Sequence, residues 1–285
     1  AKEHEIGDLM NFAKIVDFGK KHKVNFAVVG PDDPIAAGCA DALEEAGIPC
    51  VAPKKSLARL ESSKTFTRDL LDKYGIPGNP RFKKFTSMDG VEEYMRQLEE
   101  FVVKPDGLTG GKGVKVWGDH INSIKEGLDY CKECLESHPS FIVEEKLEGQ
   151  EFSLMSFCDG STVVDMPVVQ DHKRAFEDDK GPNTGGMGSY SCNNHIMPFL
   201  TKEEVDDAHY ISQKVCTALK KECGEEYKGI LYGGFIATRD GVKLIEYNAR
   251  FGDPEAMNVL PILKTDFVDV CNAIINGTLD QLRMC

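Results

Sequence analysis

The chain has 285 residues, 41% hydrophobic and 28% charged, with length for about two domains and enough apolar surface to offset chain entropy; a mini-scaffold and a globally disordered chain are both excluded. Lys and Arg number 34 against 47 Asp and Glu, and the resulting net charge of −13 sets up a field that repels nucleic-acid backbones and anionic membrane surfaces. No apolar run approaches the roughly 20 residues that cross a bilayer, and residues 1–10 lack the basic and apolar regions of a signal peptide, so a soluble cytoplasmic protein without nucleic-acid or membrane partners is expected.

The periodicity predicts a helix over 8–22, a buried strand over 26–30, a helix over 34–46 and a short strand over 49–52, a unit of the parallel, doubly wound kind. Asp33 is the expected N-cap of the second helix, Pro34 sits in its first turn, and Gly47 supplies the stop. The unit opens on a helix with no preceding strand, so it reads as the tail end of a larger sheet, part of whose domain lies upstream. Residues 53–59 carry the punctuation of a linker, after which Ser62 is expected to cap a helix running to Tyr74. Strand 81–85, helix 91–98, strand 101–104, a glycine-rich turn, strand 114–117 and helix 122–136 follow, read as a mixed sheet with helices. Three strands over 141–146, 151–158 and 162–172 then suggest an antiparallel meander. Residues 175–192, rich in Gly, Asp and Asn, have the composition of a functional loop. A helix over 202–222, strands 232–238 and 242–248 around an Arg239-Asp240-Gly241 turn, and helices near 255 and over 267–275 complete an α/β chain.

The ten cysteines are scattered singly through apolar stretches, as at Cys39, Cys50, Cys158 and Cys271, and are expected to be reduced and mostly buried. The one C-x-x-C, Cys131 to Cys134, falls in an amphipathic helix without a second ligand pair at zinc spacing, so it reads as helix spacing. The sequon Asn276-Gly-Thr278 is read as chance.

Several segments carry side chains suited to chemistry. Asp106-Gly-Leu-Thr-Gly-Gly-Lys-Gly113 joins two strands with flexible backbone amides and a cation, materials for a phosphate cradle and equally for a tight hairpin with a solvated lysine. It is not a Walker loop, because Lys112 is followed by Gly113, and no G-x-G-x-x-G precedes a helix. Lys104 ends an apolar strand, and Pro105 biases it toward extended geometry, so its ammonium projects beside that loop. Lys64 lies on a helix, where surface solvation is the usual role. Glu246 and Asn248, two apart on a strand, share one face and offer hard oxygens to Mg²⁺, with plain surface polarity as the alternative. They run into Arg250-Phe-Gly-Asp-Pro-Glu255. Glu144-Glu-Lys-Leu-Glu-Gly-Gln-Glu151 bridges two strands; its backbone can read a base edge and Glu151 can accept from a ribose hydroxyl, or the run is an acidic turn. Gln170-Asp-His-Lys-Arg174 feeds Gly181-Pro-Asn-Thr-Gly-Gly-Met-Gly188, and His172 is either a general base or a hydrogen-bonding structural residue. No Ser-His-Asp or Cys-His pattern supports covalent catalysis.

Together with Val28-Val-Gly-Pro-Asp-Asp-Pro34 and Leu60-Glu-Ser-Ser-Lys64, these runs in this order resemble the phosphoribosylamine–glycine ligase (glycinamide ribonucleotide synthetase) family of the ATP-grasp superfamily, over essentially the whole chain. The resemblance implies a partial N-terminal Rossmann-like domain over 1–60 and an ATP-grasp domain over 61–285, with subdomains of about 76–148 and 149–285. It implies an ATP-dependent ligase that forms a C–N bond between glycine and 5-phosphoribosylamine through glycyl phosphate, in purine biosynthesis. Lys104 and Arg250 would be catalytic. ATP would meet Lys64, Lys104, Gly110, Gly111, Lys112, Gly113, Glu144, Glu145, Lys146, Leu147 and Glu151, and Mg²⁺ or Mn²⁺ would sit on Glu246 and Asn248. Asp171, His172, Lys173, Asn183, Thr184, Gly185, Gly186, Met187, Asp253 and Pro254 would contact the substrates. The family's N-terminal strand and Gly-Gly-x-Arg-Glu-His loop, and its C-terminal domain, have no counterpart, so a monomer or a partner chain supplying those segments is expected. Pro105 replaces a frequent Ala, and Cys192-Asn193 a frequent Pro-Ala. Another ATP-grasp carboxylate-amine ligase, or a nucleotide-binding fragment inactive without its ends, are the alternatives.

Overall fold

Capping and apolar periodicity decide most elements of the computed structural model, which describes residues 2–110, 113–177 and 180–282, and only the backbone of 182 and 183. Helix α1 (Phe12–Lys21) starts at Asn11, whose side chain accepts from the Lys14 N–H, and precedes β1 (Ala27–Val28). The single helix expected over 34–46 is two, α2 (Asp32–Ala37) and α3 (Cys39–Glu45), because Gly38 between them takes a left-handed φ of 101°. Pro31 rather than Asp33 is the N-cap, and Asp33 lies inside the first turn. β2 (Cys50–Val51) pairs in parallel with β1. The expected linker is instead helix α4 (Lys55–Ser62), whose Leu57, Ala58 and Leu60 are buried; that burial fixes a helix despite Pro53. Helix α5 (Lys64–Lys73) is capped by Ser63, one residue after the expected Ser62.

There follow β3 (Phe82–Phe85), α6 (Val91–Leu98), β4 (Phe101–Pro105), β5 (Lys115–Val116), α7 (Ile124–Ser137) and β6 (Phe141–Glu145). These strands form a four-stranded sheet in the order β3-β6-β4-β5, and every pairing is antiparallel rather than mixed. Helices α6 and α7 cover one face, where Met95, Phe101, Cys131, Cys134 and Phe141 pack together. The C-x-x-C is thus buried helix spacing. All nine described cysteines are free thiols.

β7 (Gln150–Asp159), β8 (Val163–Asp165), β9 (Val169–Asp171), the hairpin β10 (Arg174–Phe176) and β11 (Lys180–Asn183), β12 (Ser189–Ser191), α8 (Lys202–Cys223), β13 (Lys228–Thr238), β14 (Gly241–Asn248), α9 (Ala256–Val259) and α10 (Phe267–Asn276) complete the order. The strand expected over 162–172 is broken at Pro167, which has no N–H for the ladder, and the expected loop over 175–192 contains three short strands. A six-stranded sheet runs β12-β9-β7-β13-β14, with β8 also on β7. Of the expected meander, β7 pairs antiparallel with β8 and β9, but β6 belongs to the other sheet: β6 ends one sheet and β7 opens the other. At the crossing, Gly149 lies so close to β13 that a Cβ would stand 2.0 Å from the Ala237 carbonyl oxygen.

Both faces of the larger sheet are covered. Phe152, Leu154, Leu231 and Phe235 pack toward α8, α4 and α5, while Met155, Phe157, Ile230 and Tyr232 pack toward α10. That two-sided burial explains why β7 is continuously buried from Phe152 onward. Among the described residues no helix is long and apolar enough to cross a membrane.

Candidate active site

A bulge in β14 decides what the larger sheet offers to solvent. Val242, Leu244, Tyr247 and Ala249 all belong to the core beneath the sheet, a set that changes parity between Leu244 and Tyr247. The pairing with β13 shows why: Phe235 faces Leu244 and Gly234 faces Glu246, so Ile245 is an extra residue. In an unbroken strand Glu246 would share the buried face of Leu244; the bulge moves Glu246 and Asn248 to the opposite face, where both line a cavity of about 660 Å³. That size suits a ligand of cofactor dimensions, for which roughly 300–1,000 Å³ is usual.

The bulge frees backbone carbonyls, and cations from other elements satisfy them. Arg68 of α5 donates from Nη1 to the Leu244 carbonyl at 3.0 Å and from Nη2 to the Ile245 carbonyl at 2.7 Å. Lys104 of β4 donates to the same Ile245 carbonyl at 3.2 Å. Both cations also hold Glu144 of β6: Arg68 Nε at 2.5 Å and Nη2 at 3.2 Å, Lys104 Nζ at 2.7 Å. Burial alone would push the Glu144 carboxyl up, but Arg68 and Lys104 outweigh it and bring it down to about 2. One turn before Arg68 on the same helix face, Lys64 donates to the Gly107 carbonyl at 2.8 Å. Burial lowers the affinity of the Lys64 amine for its proton; Glu246 opposes that and Lys104 adds to it.

The glycine-rich turn is anchored at its root. Asp106 accepts from Ser63 Oγ at 3.0 Å, Thr65 Oγ1 at 2.6 Å, the Thr65 N–H at 3.1 Å and Ser140 Oγ at 3.1 Å, tying the turn to the start of α5. Gly110 lines the cavity; the Gly113 carbonyl accepts from Tyr130 Oη at 2.7 Å; Gly111 and Lys112 lie outside the described residues. Glu145, Lys146, Leu147 and Glu151 line the cavity too. The Glu145 carboxylate is engaged by Arg81, through Nε at 2.6 Å and the backbone N–H at 2.8 Å. Burial raises the Glu151 carboxyl, Lys173 opposes this, and Asp171 and Glu246 reinforce it.

On the far wall, Asp171, His172, Lys173, Thr184, Gly185 and Asp253 reach the cavity. The loop is zipped to β9 and its continuation by Thr184 N–H to the Lys173 carbonyl and Met187 N–H to the His172 carbonyl, each 2.7 Å. Burial works against the Lys173 ammonium, but Asp171, Glu246 and Glu151 outweigh it and raise its pKa. His172 stacks on Tyr190 with ring centroids 5.9 Å apart. Gly186 abuts Pro254, Met187 is 61% exposed, and neither of these nor Pro254 is part of the cavity wall. Asn183 contributes backbone pairing with Arg174.

Arg250 is aimed by three contacts: Glu61 Oε1 at 3.3 Å, Asn248 Oδ1 at 3.3 Å and the Phe251 carbonyl at 3.0 Å. Glu61 also accepts the Ala249 N–H at 2.8 Å. Sequence reasoning did not single out Glu61 and Arg68, which line the cavity, or Asp106, which anchors the glycine-rich turn beside it. The available signals were Glu61 beside Lys64, Arg68 four residues after Lys64, and Asp106 two after Lys104.

The donor set fits a hard divalent cation. Glu246 and Asn248 present a carboxylate and an amide oxygen, no hydrogen bond or salt bridge to the Glu246 carboxylate forms among the described residues, and Asn248 Oδ1 keeps a lone pair beyond its bond to Arg250. Among the described residues no group of three or more His, Cys, Asp or Glu is placed to hold a metal, so the remaining ligands would come from phosphate oxygens and water, as is usual for Mg²⁺. Ten Asp and Glu side chains and seven Lys and Arg side chains line the wall.

Two family models match the chain in tandem: the phosphoribosylglycinamide synthetase N domain over residues 1–61, and the phosphoribosylglycinamide synthetase ATP-grasp (A) domain over 62–256. The chain is similar to the phosphoribosylamine–glycine ligase of Methanocella arvoryzae, at 48% identity over 100% of this chain and 65% of the relative. With that of Methanococcus maripaludis it shares 51% identity over 95% of this chain and 62% of the relative. It thus spans somewhat less than two thirds of these curated relatives. Among solved structures, a phosphoribosylamine–glycine ligase from Thermotoga maritima matches with a TM-score of 0.70 at 31% identity, over 80% of this chain and 57% of that one. A D-alanine–D-alanine ligase from Bacillus anthracis complexed with ATP matches in fold, with a TM-score of 0.65 at 17% identity, over 97% of this chain and 84% of that one.

Proposed function

The chain belongs to the phosphoribosylglycinamide synthetase family, and from that premise we propose that it uses ATP to join glycine to 5-phosphoribosylamine. The observation that carries this reading is convergence: Lys64 of α5, Lys104 of β4, Glu246 and Asn248 of β14 and Arg250 beyond it line one cavity. In this reading residues 1–60 and 61–285 are separate domains, which the tandem matches meeting at 61 and 62 support.

Lys64 and Lys104 hold the ATP phosphates, the glycine-rich turn covers them, the backbone of 145–147 meets adenine, and Glu151 accepts from the ribose. Glu246 and Asn248 are the residues that would hold Mg²⁺, which when bound neutralises charge on the phosphates. A glycine carboxylate oxygen attacks the γ-phosphorus; the bond to that oxygen forms as the bond to the ADP oxygen breaks, giving glycyl phosphate. The amine of phosphoribosylamine then attacks the carbonyl carbon, the C–O bond breaks, phosphate leaves, and the nitrogen gives up one proton to become the amide. Two moderate barriers replace one large one. Arg250, oriented by Glu61, faces the charge that builds on the transferred phosphoryl group, and the substrate loop between β11 and β12 shields the acyl phosphate from water.

Glycinamide ribonucleotide formation with ATP, Mg²⁺, glycine and fresh phosphoribosylamine tests the proposal. Wild-type chain is expected to make product, with turnover lowered at least about a hundredfold in Glu246→Ala. Equal turnover in the variant, or ATP consumption indifferent to glycine, contradicts it.

A further inference from the structure

We propose that Arg68 is a positioning residue: it takes up the charge of Glu144, so that the Lys104 ammonium stays available to an anion in the cavity. The inference rests on the nucleotide reading above, in which that anion is a phosphate of ATP.

Three charged side chains meet where solvent barely reaches. The side chains of Arg68 and Glu144 are each 3% exposed, and that of Lys104 is 6% exposed. Arg68 grips both Glu144 oxygens and places its other bonds on the Leu244 and Ile245 carbonyls. Four of its five N–H donors are accounted for in this way, so although Arg68 lines the cavity its guanidinium is committed mainly to protein acceptors. Lys104 gives one N–H to Glu144 and one to the Ile245 carbonyl; the third remains for a ligand in the cavity that Lys104 lines.

Charge balance follows from this count. Two cations and one carboxylate leave the triad with a net single positive charge. Without Arg68, Lys104 and Glu144 would close into a neutral pair 2.7 Å apart, and the carboxylate would repel an incoming phosphate nearly as strongly as the ammonium attracts it. A buried pair of that kind is also harder to open, because little water can take over either partner. Glu144 is held ionised well below neutral pH, so the arithmetic applies throughout ordinary assay conditions. Supply of a buried cation that never titrates, in a fork that fits a carboxylate, is a task for which arginine is suited.

The test is calorimetric binding of Mg·ADP to the 285-residue chain at fixed salt. Arg68→Met should weaken binding about tenfold, the size expected when an ionic contact to phosphate is compromised. Arg68→Met combined with Glu144→Gln removes both charges, leaves Lys104 as the single positive group, and should return affinity to within about threefold of wild type. Arg68→Lys keeps the charge while losing the fork and should also stay within about threefold, although thermal unfolding comes earlier. A purely structural role predicts the opposite order, with the double variant no better than the single. Unchanged affinity in a folded Arg68→Met, or failure of the Glu144→Gln change to restore it, overturns the inference. Should Arg68→Met not fold, Arg68→Lys and the charge-neutral double variant carry the test, and loss of affinity in either overturns it. Lys104→Met separates this result from the nucleotide reading. If it binds like wild type, or if wild type does not bind Mg·ADP, Lys104 is not a phosphate contact and both fall; if it weakens binding while Arg68→Met does not, only the Arg68 inference falls.

Discussion

Glu144 shows how far a single side chain's surroundings can override its ordinary chemistry. Its carboxyl falls from the usual 4.5 to about 2, because Arg68 and Lys104 outweigh the penalty of burial. A carboxyl with a lowered folded pKa contributes stability that is fully present above pH 4.5 and is lost as pH falls toward 2. The contribution is on the order of 3 kcal/mol, so urea denaturation should show wild type losing stability over that window. The Arg68→Met, Glu144→Gln double variant should lack that part of the slope; identical slopes would contradict the electrostatic assignment. At this scale the sequence was most legible where a residue type is unusual for its element. Lys104 closing an apolar strand and Glu246 with Asn248 on another are such cases, and all three reach the cavity. Arg68, Glu61 and Asp106 were not legible, because what each does depends on partners far away: Glu144 lies 76 residues from Arg68, and Ala249 lies 188 from Glu61.

The elements were readable where burial and local propensity agree. Helix α6 falls over 91–98 as the apolar spacing predicts, and α8 differs from expectation by one residue at its end. Residues 55–62 did not announce themselves, since a short helix among Pro53, Lys54 and Lys55 takes its stability from tertiary burial of Leu57 and Leu60. The bulge at Ile245 did leave a trace: apolar positions shift from even numbers, Val242 and Leu244, to odd ones, Tyr247 and Ala249. Where two elements touch through backbone, the consequence is sharp. Gly149→Ala would set a methyl group 2.0 Å from the Ala237 carbonyl oxygen of β13, with no flexible side chain to give way. A stability loss of about 3 kcal/mol or more is expected in thermal or urea unfolding, and a change below about 1 kcal/mol would show that the two strands can separate at little cost.

Across the whole molecule, the cavity lies between a four-stranded and a six-stranded sheet, with Lys104 reaching from the smaller sheet, and Arg68 from α5, to the bulge of the larger. The sequence conveyed the α/β class and, through its resemblance, the family. It did not convey that β6 and β7 part company at Gly149, since both are apolar strands joined by a short turn. An Arg174 to Asp119 ion pair also joins the β10 hairpin to the turn after β5. These contacts tie the two sides of the cleft together, and in the proposed function that cleft is where a phosphoryl group passes to a carboxylate. Phosphoryl transfer to the glycine carboxylate is the step on which the proposed function turns. Its most direct measurement supplies glycine labelled with ¹⁸O in both carboxylate oxygens, together with Mg·ATP and phosphoribosylamine, and reads the isotope in the released phosphate by mass spectrometry. One ¹⁸O per phosphate is the expected result, because the oxygen that attacked phosphorus leaves with it. Phosphate free of label, formed alongside product, would contradict activation of the carboxylate by phosphoryl transfer.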